Sequence, residues 1–173
     1  MKVEDKVYPA FYPNPAVLVT CKHGEEESII TISWGGTAAS DPPQVFISIQ
    51  PKRFSHHIIK ESGEFVINFP TIDQLGAVKL CGTKSGRQLD KWQSCSFTKE
   101  VASKVNVPMI AECPANMECT VEQIISLGSH DMFIAKVVAV HLDQEWKARQ
   151  YEGALTYARG VYSVCGRIDP KIA

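Results

Sequence analysis

The sequence predicts a mainly β domain in which antiparallel strands close, or partly close, into a barrel flanked by one or two helices. Short apolar runs alternate with polar residues, and clusters of glycine, proline and polar residues separate these runs. The strands of a 173-residue domain must cover or close their edges, which favours a barrel. We expect a single domain over residues 1–173.

The first part of the chain predicts a β-hairpin followed by a loop. Residues 16–22 (AVLVTCK) form a nearly continuous apolar run, and residues 29–34 (IITISW) alternate between apolar and polar. The polar stretch 23–28 is expected to be the turn between these two strands. Residues 35–43 (GGTAASDPP) predict a loop because they are rich in glycine and proline.

A strand, a short helix and another strand are expected next. Residues 44–50 (QVFISIQ) predict the first of these strands. Residues 54–63 predict a helix with Ser55 as its N-cap and Gly63 just past its end. Residues 64–70 (EFVINFP) alternate again and predict the second strand.

A second helix and a long hairpin are expected in the remaining chain. Residues 71–82 carry apolar side chains near helical spacing after a capping Thr71, and Gly82 is expected to end this helix. Residues 117–128 and 131–143 predict two long antiparallel strands that a tight loop connects.

Composition and charge narrow the class of protein. Hydrophobic residues make up 45% and charged residues 21%, and 18 basic side chains stand against 19 acidic ones, which argues against broad nucleic-acid binding. The N-terminus has acidic residues where a signal peptide has basic ones, and its apolar run is too short to span a membrane. We therefore expect a cytoplasmic protein with no membrane partner, in which the six cysteines are free thiols.

Three stretches carry groups that suit a phosphate or a planar ring. In residues 51–57 (PKRFSHH), the Arg53 guanidinium can bind two phosphate oxygens, and Ser55 adds a hydroxyl near a helix start. Residues 83–91 (TKSGRQLDK) combine a glycine turn with three cations. His130 lies at the tip of the long hairpin. Taken alone, each stretch is as typical of a solvent-exposed turn as of a binding site. The interpretation as a binding site therefore rests on the joint occurrence of all three stretches.

Six motifs in order resemble the flavin reductase-like family. The resemblance covers residues 10–165, and it is greatest to the flavoredoxin branch of FMN-binding split barrels. It implies a split β-barrel with flanking helices, and an FMN bound non-covalently at the interface of a homodimer. The motifs are NPAVLVTC (14–21), IITISWGG (29–36), SDPPQVFISIQPKRFS (40–55), GEFVINFP (63–70), GTKSGRQLDKW (82–92) and GSHDMFIAKVVAV (128–140).

The resemblance also implies which residues bind FMN. Lys91 and His130 become candidates for a cation beside flavin N1, where it would raise the reduction potential. The positions carried over are Ser28, Thr31, Ser33 and Trp34 from the second strand and its turn, Ser48, Arg53 and Ser55 for the phosphate, Asn68 from the strand ending in NFP, Ser85, Gly86, Asp90 and Lys91 from the SGxxxDK loop, His130, and Tyr162 near the C-terminus.

Two functions of different classes follow from the resemblance. The first is an FMN-dependent enzyme that uses NADH or NADPH to reduce flavin, ferric complexes or another acceptor. The second is an electron carrier between redox partner proteins, without a nicotinamide site of its own. The sequence has no glycine-rich dinucleotide motif, so a nicotinamide would have to stack on the exposed flavin face, and no catalytic acid or base is expected.

A metal site built from Cys113, Cys119 and His130 is a third interpretation. The two cysteines are six positions apart with Pro114 between them, which fits no usual zinc spacing. We therefore expect no metal. Buried thiols in a reducing cell explain the cysteines better, and Cys21 or Cys165 would be redox-active only if exposed.

Overall fold

The computed structural model describes residues 3–4, 6–9, 11–149 and 152–166. Within these residues the chain forms twelve strands, four α-helices and a 3₁₀ turn at Ile72–Gln74. The strands are β1 (Asn14–Pro15), β2 (Val17–His23), β3 (Glu26–Ile32), β4 (Gly35–Ser40), β5 (Pro43–Ile49), β6 (Glu64–Phe69), β7 (Lys99–Glu100), β8 (Met109–Ile110), β9 (Ala115–Ser126), β10 (Asp131–Leu142), β11 (Leu155–Ala158) and β12 (Val161–Val164). The helices are α1 (Phe54–Ser62), α2 (Leu75–Thr83), α3 (Lys91–Ser94) and α4 (Gln144–Ala148).

Seven strands form one antiparallel sheet that curls back on itself. Their order is β3–β2–β6–β9–β10–β5–β4, so the two edge strands are neighbours in the chain. The connection between them lies against β5, where the Ser48 amide donates to the Trp34 carbonyl oxygen at 2.8 Å. No ladder joins β3 to β4 in the part of the chain that the structure describes, so the barrel is split there. The prediction of a mainly β, partly closed barrel is confirmed.

The sheet buries apolar side chains on both faces. Inside the barrel, residues from six strands and α1 form one core, in which Phe65 and Phe133 have no exposed surface. On the outer face, α2, α3 and β11 cover Leu18 and Ile29. The segment that runs from β7 to β8 covers Val66 on the same sheet. Burial on both faces explains why β2 is apolar almost throughout.

The strand predictions hold where alternation was clear. In β6, Phe65 and Ile67 point into the barrel core while Val66 packs outside it, as the alternation in EFVINFP predicts. The long hairpin is also confirmed, with Asp131 opposite Ser126 at the start of the β9–β10 ladder. None of the described helices is long and apolar enough to cross a membrane.

The predicted loop at residues 35–43 is wrong, because most of it forms strand β4. This strand pairs with β5, and its register shifts between Thr37 and Ala39. Glycine serves close strand contact here, since a Cβ on Gly35 would lie 2.9 Å from the Phe46 carbonyl oxygen. Cross-strand pairing therefore decides the structure of a segment whose local composition is typical of a loop.

Two predicted helix boundaries also differ from the structure. Arg53, and not Ser55, is the N-cap of α1, and no side chain makes a capping hydrogen bond there. Gly63 does end this helix in the left-handed region, at φ 68°. Gly82 does not end α2, which continues to Thr83. Its role is close packing, because a Cβ at position 82 would lie 3.3 Å from the Thr31 side chain.

Candidate functional site

Three adjoining cavities lie along β3, around the side chain of Arg53. Their volumes are about 610, 210 and 160 Å³, and Arg53 lines all three. A ligand can therefore extend from one cavity into the next past a single exposed arginine. We call them the tyrosine cavity (lined by Thr31, Ser33, Lys79, Tyr157 and Tyr162), the lysine cavity (Lys52, Ser55, Lys84, Ser85, Gly86 and Lys91) and the tryptophan cavity (Thr31, Ser33, Trp34, Ser48 and His130).

The lysine cavity is strongly cationic. Its described lining contains four basic side chains, two serine hydroxyls and no aspartate or glutamate. Guanidinium and ammonium groups make the strongest hydrogen bonds to phosphate oxygens, and an arginine can bind two of these oxygens at once. A phosphate-sized dianion is therefore the ligand that this set of donors suits.

Lys91 is the most buried cation of the lysine cavity, with 4% of its surface exposed. Its Nζ donates to the carbonyl oxygen of Ile29 at 2.6 Å and to that of Cys81 at 3.0 Å. Burial lowers the pKa of Lys91, and the positive charge of Arg53 lowers it further. An ammonium has three donors, so a ligand in the cavity can accept the third.

Gly86 forms part of one wall of the lysine cavity, and the buried Ser28 lies directly behind it. A Cβ on Gly86 would lie 2.4 Å from Ser28 Oγ and 2.6 Å from Phe54 Cδ1, so the backbone here has no room for a side chain. Ser28 Oγ is buried and has no hydrogen-bond partner among the described residues. Buried hydroxyls are normally hydrogen-bonded, so an unpartnered one beside four cations fits a ligand that brings acceptor oxygens.

Helix α1 begins at the lysine cavity. Because Arg53 is the N-cap, the first amides of the helix belong to Phe54 and Ser55, and both of these residues line the cavity. The first amides of a helix lack partners within the helix and attract anions. The Ser55 side chain is buried and hydrogen-bonds the thiol of Cys21, whose pKa burial raises to about 12.

The tryptophan cavity places His130 against Trp34. The two ring centroids are 4.5 Å apart, and Ser129 Oγ lies 2.9 Å from Nδ1 of His130. Burial lowers the pKa of His130, and the positive charges of Arg53 and Lys52 lower it further. His130 is therefore mainly neutral at pH 7.

A hydrogen-bonded pair fixes this cavity relative to α1. His56 Nε2 lies 2.8 Å from Asp131 Oδ2, and the His56 ring packs edge-on against Phe133. The hydrogen bond from His56 is the largest cause that lowers the pKa of Asp131. Asp131 follows His130 directly and His56 lies in the first turn of α1, so the pair holds the hairpin tip against the helix that carries Arg53.

The tyrosine cavity is the widest of the three and has an aromatic wall. Tyr157 and Tyr162 face each other across the β11–β12 ladder with ring centroids 5.0 Å apart. Burial raises the pKa of Tyr162, and Lys79 Nζ lies 6.0 Å from the centre of its ring. On the wall formed by β3, Thr31 Oγ1 donates to the Val78 carbonyl oxygen at 2.6 Å. An aromatic wall facing a strand suits a planar ring.

The structure brings most of the predicted site residues together. Lys91 and His130, predicted to lie near one flavin atom, line different cavities with Arg53 common to both. Ser28 stands directly behind Gly86. The predicted residues that line the cavities are Thr31, Ser33, Trp34, Ser48, Arg53, Ser55, Ser85, Gly86, Lys91, His130 and Tyr162.

Two predicted site residues, Asn68 and Asp90, do not line the three cavities. Asn68 is fully buried, its Nδ2 donates to the Leu18 carbonyl oxygen, and its Oδ1 accepts from the Ile110 amide. Asp90 is the N-cap of α3, and its carboxylate accepts from the Trp92 amide at 2.9 Å. Both side chains thus have hydrogen-bonding roles within the protein, and their contact with a cofactor stays a prediction.

Lys79, Gly82 and Tyr157 are among the lining residues that were not predicted from the sequence. Tyr157 had a local signal, because residues 157–162 (YARGVY) place two tyrosines on either side of a glycine turn, as in a hairpin. Lys79 and Gly82 reach the cavity because α2 packs on β3, and that contact leaves no local pattern in the sequence.

The cysteines are free thiols, as expected. Of the six, Cys165 is exposed, Cys95 is half-buried, and the others are buried. Over the described ranges, no group of three or more histidine, cysteine, aspartate or glutamate side chains is arranged to hold a metal ion.

A curled antiparallel sheet that is split between β3 and β4 defines the class of split-barrel proteins. Comparison with known protein families identifies the family within this class. The model described as "Flavin reductase like domain" matches residues 10–166, and the chain belongs to this family.

The chain is also similar to individual proteins and solved structures. An uncharacterized protein of Pyrococcus abyssi is 36% identical over 138 residues, which cover 80% of this chain and 79% of that protein. An FMN-binding protein from Thermus thermophilus matches with a TM-score of 0.84 and 25% identity, over 98% of this chain and 100% of that one. Flavoredoxin of Desulfovibrio vulgaris (Miyazaki F) matches with a TM-score of 0.88 and 23% identity, over 97% and 95%. The predicted split barrel is confirmed, and so is the predicted likeness to flavoredoxin in fold.

Proposed function

We propose that the chain binds FMN non-covalently along β3 and acts as a flavin-dependent oxidoreductase that takes electrons from NADH or NADPH. One observation carries this proposal: Arg53 connects a cavity with four cations to a cavity with a wall of two tyrosines. FMN joins a phosphate dianion to a planar, mostly apolar ring, so its two ends need those two environments. The FMN-binding protein of Thermus thermophilus, with the same fold, supports this choice of ligand.

The residues of the lysine cavity would hold the phosphate. Arg53 binds two of its oxygens, the amides at the start of α1 donate from one side, and the Gly86 backbone allows close approach from the other. Ser28 Oγ, which has no partner among the described residues, supplies one more donor beside Gly86.

The outer face of β3 would hold the ring. Thr31 and Ser33 lie between the tyrosine and tryptophan cavities, and Tyr162 and Trp34 border them on either side. Bound FMN would supply the chemistry that takes up two electrons from a nicotinamide and passes them to flavin, a ferric complex or another acceptor. The protein's own residues position the two partners and exclude water from the ring, so no acid or base of the chain is required.

We also propose that two copies of the chain associate. Several apolar side chains are exposed on the β9–β10 hairpin and on β12, and a second copy of the chain can cover them: Ile124, Leu127, Val140, Val161 and Val164. Light scattering of the FMN-loaded protein tests whether two copies associate. A measured mass equal to that of one chain would contradict the proposed dimer.

The first experiment is an absorption spectrum of the purified protein, followed by chromatography of any released chromophore and anaerobic addition of NADH or NADPH. We expect bound FMN, and we expect its visible absorbance to bleach on addition of the nicotinamide. A protein that is colourless and cannot be reconstituted with FMN would contradict the proposal.

The variant Arg53→Ala tests the phosphate assignment. Loss of a charge-assisted, two-oxygen contact costs about 1.5–3 kcal/mol, so FMN should bind roughly 10- to 100-fold more weakly. The matched control is Arg87→Ala, because Arg87 is exposed and lies over Phe54 without lining the three cavities. Equal losses in the two variants would mean that only net charge matters and that Arg53 has no specific role.

An electron carrier is the second candidate, and the charge at the cavity mouth favours it. Lys52, Arg53, Lys84 and Arg87 are all exposed around the lysine cavity, and such a surface suits an acidic redox protein as electron donor. In this case bound FMN would stay oxidised with NADH and NADPH but would be reduced by an acidic partner such as ferredoxin. High salt would slow that reduction.

A further inference from the structure

Two cysteines lie in contact beside the lysine cavity. The sulfur atoms of Cys81 and Cys95 are 3.8 Å apart. Cys81 lies in the last turn of α2, and Cys95 is the C-cap of α3. Both helices are anchored on β3, through the bond of Thr31 to Val78 and the bonds of Lys91. The two thiols are therefore held together by the fold itself.

The two cysteines face different cavities. Cys81 lines the lysine cavity. Cys95 lines another cavity, of about 330 Å³, together with Gln74, Phe97 and Glu112. We call this second space the rear cavity. Cys95 is half-buried, so a small molecule can reach its sulfur from the rear cavity without entering the lysine cavity.

We propose that Cys81 and Cys95 are a redox-active pair that a peroxide or a small disulfide oxidises to a reversible intramolecular disulfide, and that this bond weakens anion binding in the lysine cavity. With hydrogen peroxide, the Cys95 sulfur attacks one oxygen, becomes a sulfenic acid, and water leaves. The Cys81 sulfur then attacks the Cys95 sulfur, loses its proton and releases a second water. The two thiols together give up two electrons, and the peroxide accepts them.

The order of the two cysteines follows from their burial. Burial raises the pKa of Cys81 to about 12, so this thiol stays protonated at neutral pH. Burial also raises the pKa of Cys95, but Cys95 is the more exposed sulfur of the pair. Cys95 therefore meets the oxidant first, and Cys81, already in contact with it, completes the disulfide.

The effect on the lysine cavity follows from Lys91. A disulfide has a sulfur–sulfur distance of about 2.05 Å, so bond formation draws the two sulfurs together by about 1.8 Å. The Cys81 carbonyl oxygen is one of the two acceptors of Lys91, and Gly82 and Lys84 beside Cys81 also line the cavities. Shifting this turn of α2 displaces several groups that would contact the anion. This effect rests on the proposed binding of FMN, whereas the disulfide itself does not.

The test uses the full chain with Cys165→Ser, which removes the exposed thiol. The protein is treated with a slight excess of hydrogen peroxide, blocked with iodoacetamide and digested with trypsin without reductant. The two cysteines fall in separate tryptic peptides, residues 80–84 and 92–99. We expect one linked species, two hydrogen atoms lighter than the sum of these peptides, which disappears after dithiothreitol. Two unlinked, alkylated peptides, or Cys95 oxidised to its sulfinic acid, would overturn the proposal.

The second measurement is FMN affinity before and after oxidation. We expect FMN to bind on the order of tenfold more weakly to the oxidised protein and to recover after dithiothreitol. In the variant Cys95→Ser, peroxide should not change the FMN affinity. If Cys95→Ser does not fold, Cys81→Ser serves the same purpose. Unchanged affinity in a protein with a proven Cys81–Cys95 link would overturn the effect on the cavity. A link in a protein that never binds FMN would instead reject the proposed function.

Discussion

Glu118 and Lys91 are both buried charges, but their surroundings differ. Glu118 has no exposed surface, and its carboxylate accepts from the amides of residues 103–105, the Ser103 hydroxyl and the His141 ring, at 2.6–3.0 Å. Lys91 donates to two carbonyl oxygens and faces a cavity. The carboxylate of Glu118 thus has all its hydrogen-bond partners within the protein, whereas the ammonium of Lys91 can still bind a ligand. Glu118 therefore maintains the fold, whereas Lys91 is placed to serve a ligand.

The variant Glu118→Gln gives the largest expected effect. A glutamine at this position would keep the size of the side chain but would lose the charge that these donors surround. Breaking a buried, hydrogen-bonded charge costs about 3–5 kcal/mol, so the free energy of unfolding should fall by about 3 kcal/mol. Denaturant unfolding measures this loss, with the exposed Glu61→Gln as control. A loss below about 1 kcal/mol would show that Glu118 does not clamp the segment at residues 103–105.

Acid should weaken the hydrogen bonds between Glu118 and residues 103–105. Burial alone would raise the pKa of Glu118, but hydrogen bonds from Ser103, His141 and Lys104 outweigh it and lower this pKa from 4.5 to about 2. A lowered pKa stabilises the fold above the ordinary value, and this stabilisation is lost as the pH falls from 4.5 towards 2. The difference in unfolding free energy between wild type and Glu118→Gln should therefore shrink over this range. A constant difference would contradict the lowered pKa.

The variant Lys91→Met should mainly weaken FMN binding, whereas Glu118→Gln should mainly lower stability. Methionine fills much of the buried volume but cannot bind an anion, so FMN affinity should fall about tenfold, or about 1.4 kcal/mol. The stability of the protein without ligand should fall less than in Glu118→Gln, because burial of an apolar side chain offsets the two lost hydrogen bonds. Fluorescence titration with FMN and denaturant unfolding separate the two effects. The control is Lys60→Met, because Lys60 is exposed. If Lys91→Met lost stability but kept its FMN affinity, Lys91 would maintain the fold and would not serve a ligand.

The variant His130→Ala should have the smallest effect at pH 7. Because the pKa of His130 is lowered, its ring is mainly neutral there, and its removal should change the flavin reduction potential little. At lower pH, protonated His130 adds a positive charge in the wild type only. The difference in potential between wild type and His130→Ala should therefore widen as the pH falls. Anaerobic titration against reference dyes at several pH values measures it.

The sequence predicts strands well where side-chain alternation sets the buried face. In β6, the order of apolar residues alone gives the correct inner and outer faces, and the β9–β10 hairpin forms where two long antiparallel strands were predicted. Strand β4 escapes prediction because its stability comes from pairing with β5 and not from its own residues, of which Gly35 and Gly36 are poor strand formers.

The site was predictable where a local motif carries the charge. Arg53 and Lys91 belong to basic turns that can be read in the sequence, and both line the lysine cavity. Asn68 lies in an equally recognisable motif, yet its amide serves the protein's own backbone. A motif specifies which polar residue is present, but only the fold decides whether its polar atoms meet a ligand or another part of the chain.

The wall that carries Tyr157 and Tyr162 belongs to a small sheet of β1, β11 and β12, which is separate from the seven-stranded sheet. Short, peripheral strands open at lower free energy than strands in the middle of a large sheet. Amide hydrogens of Leu155–Ala158 should therefore exchange with deuterium well before those of β9. Such opening would uncover the tyrosine cavity without unfolding the barrel, so it would give a planar ligand a wider path in and out.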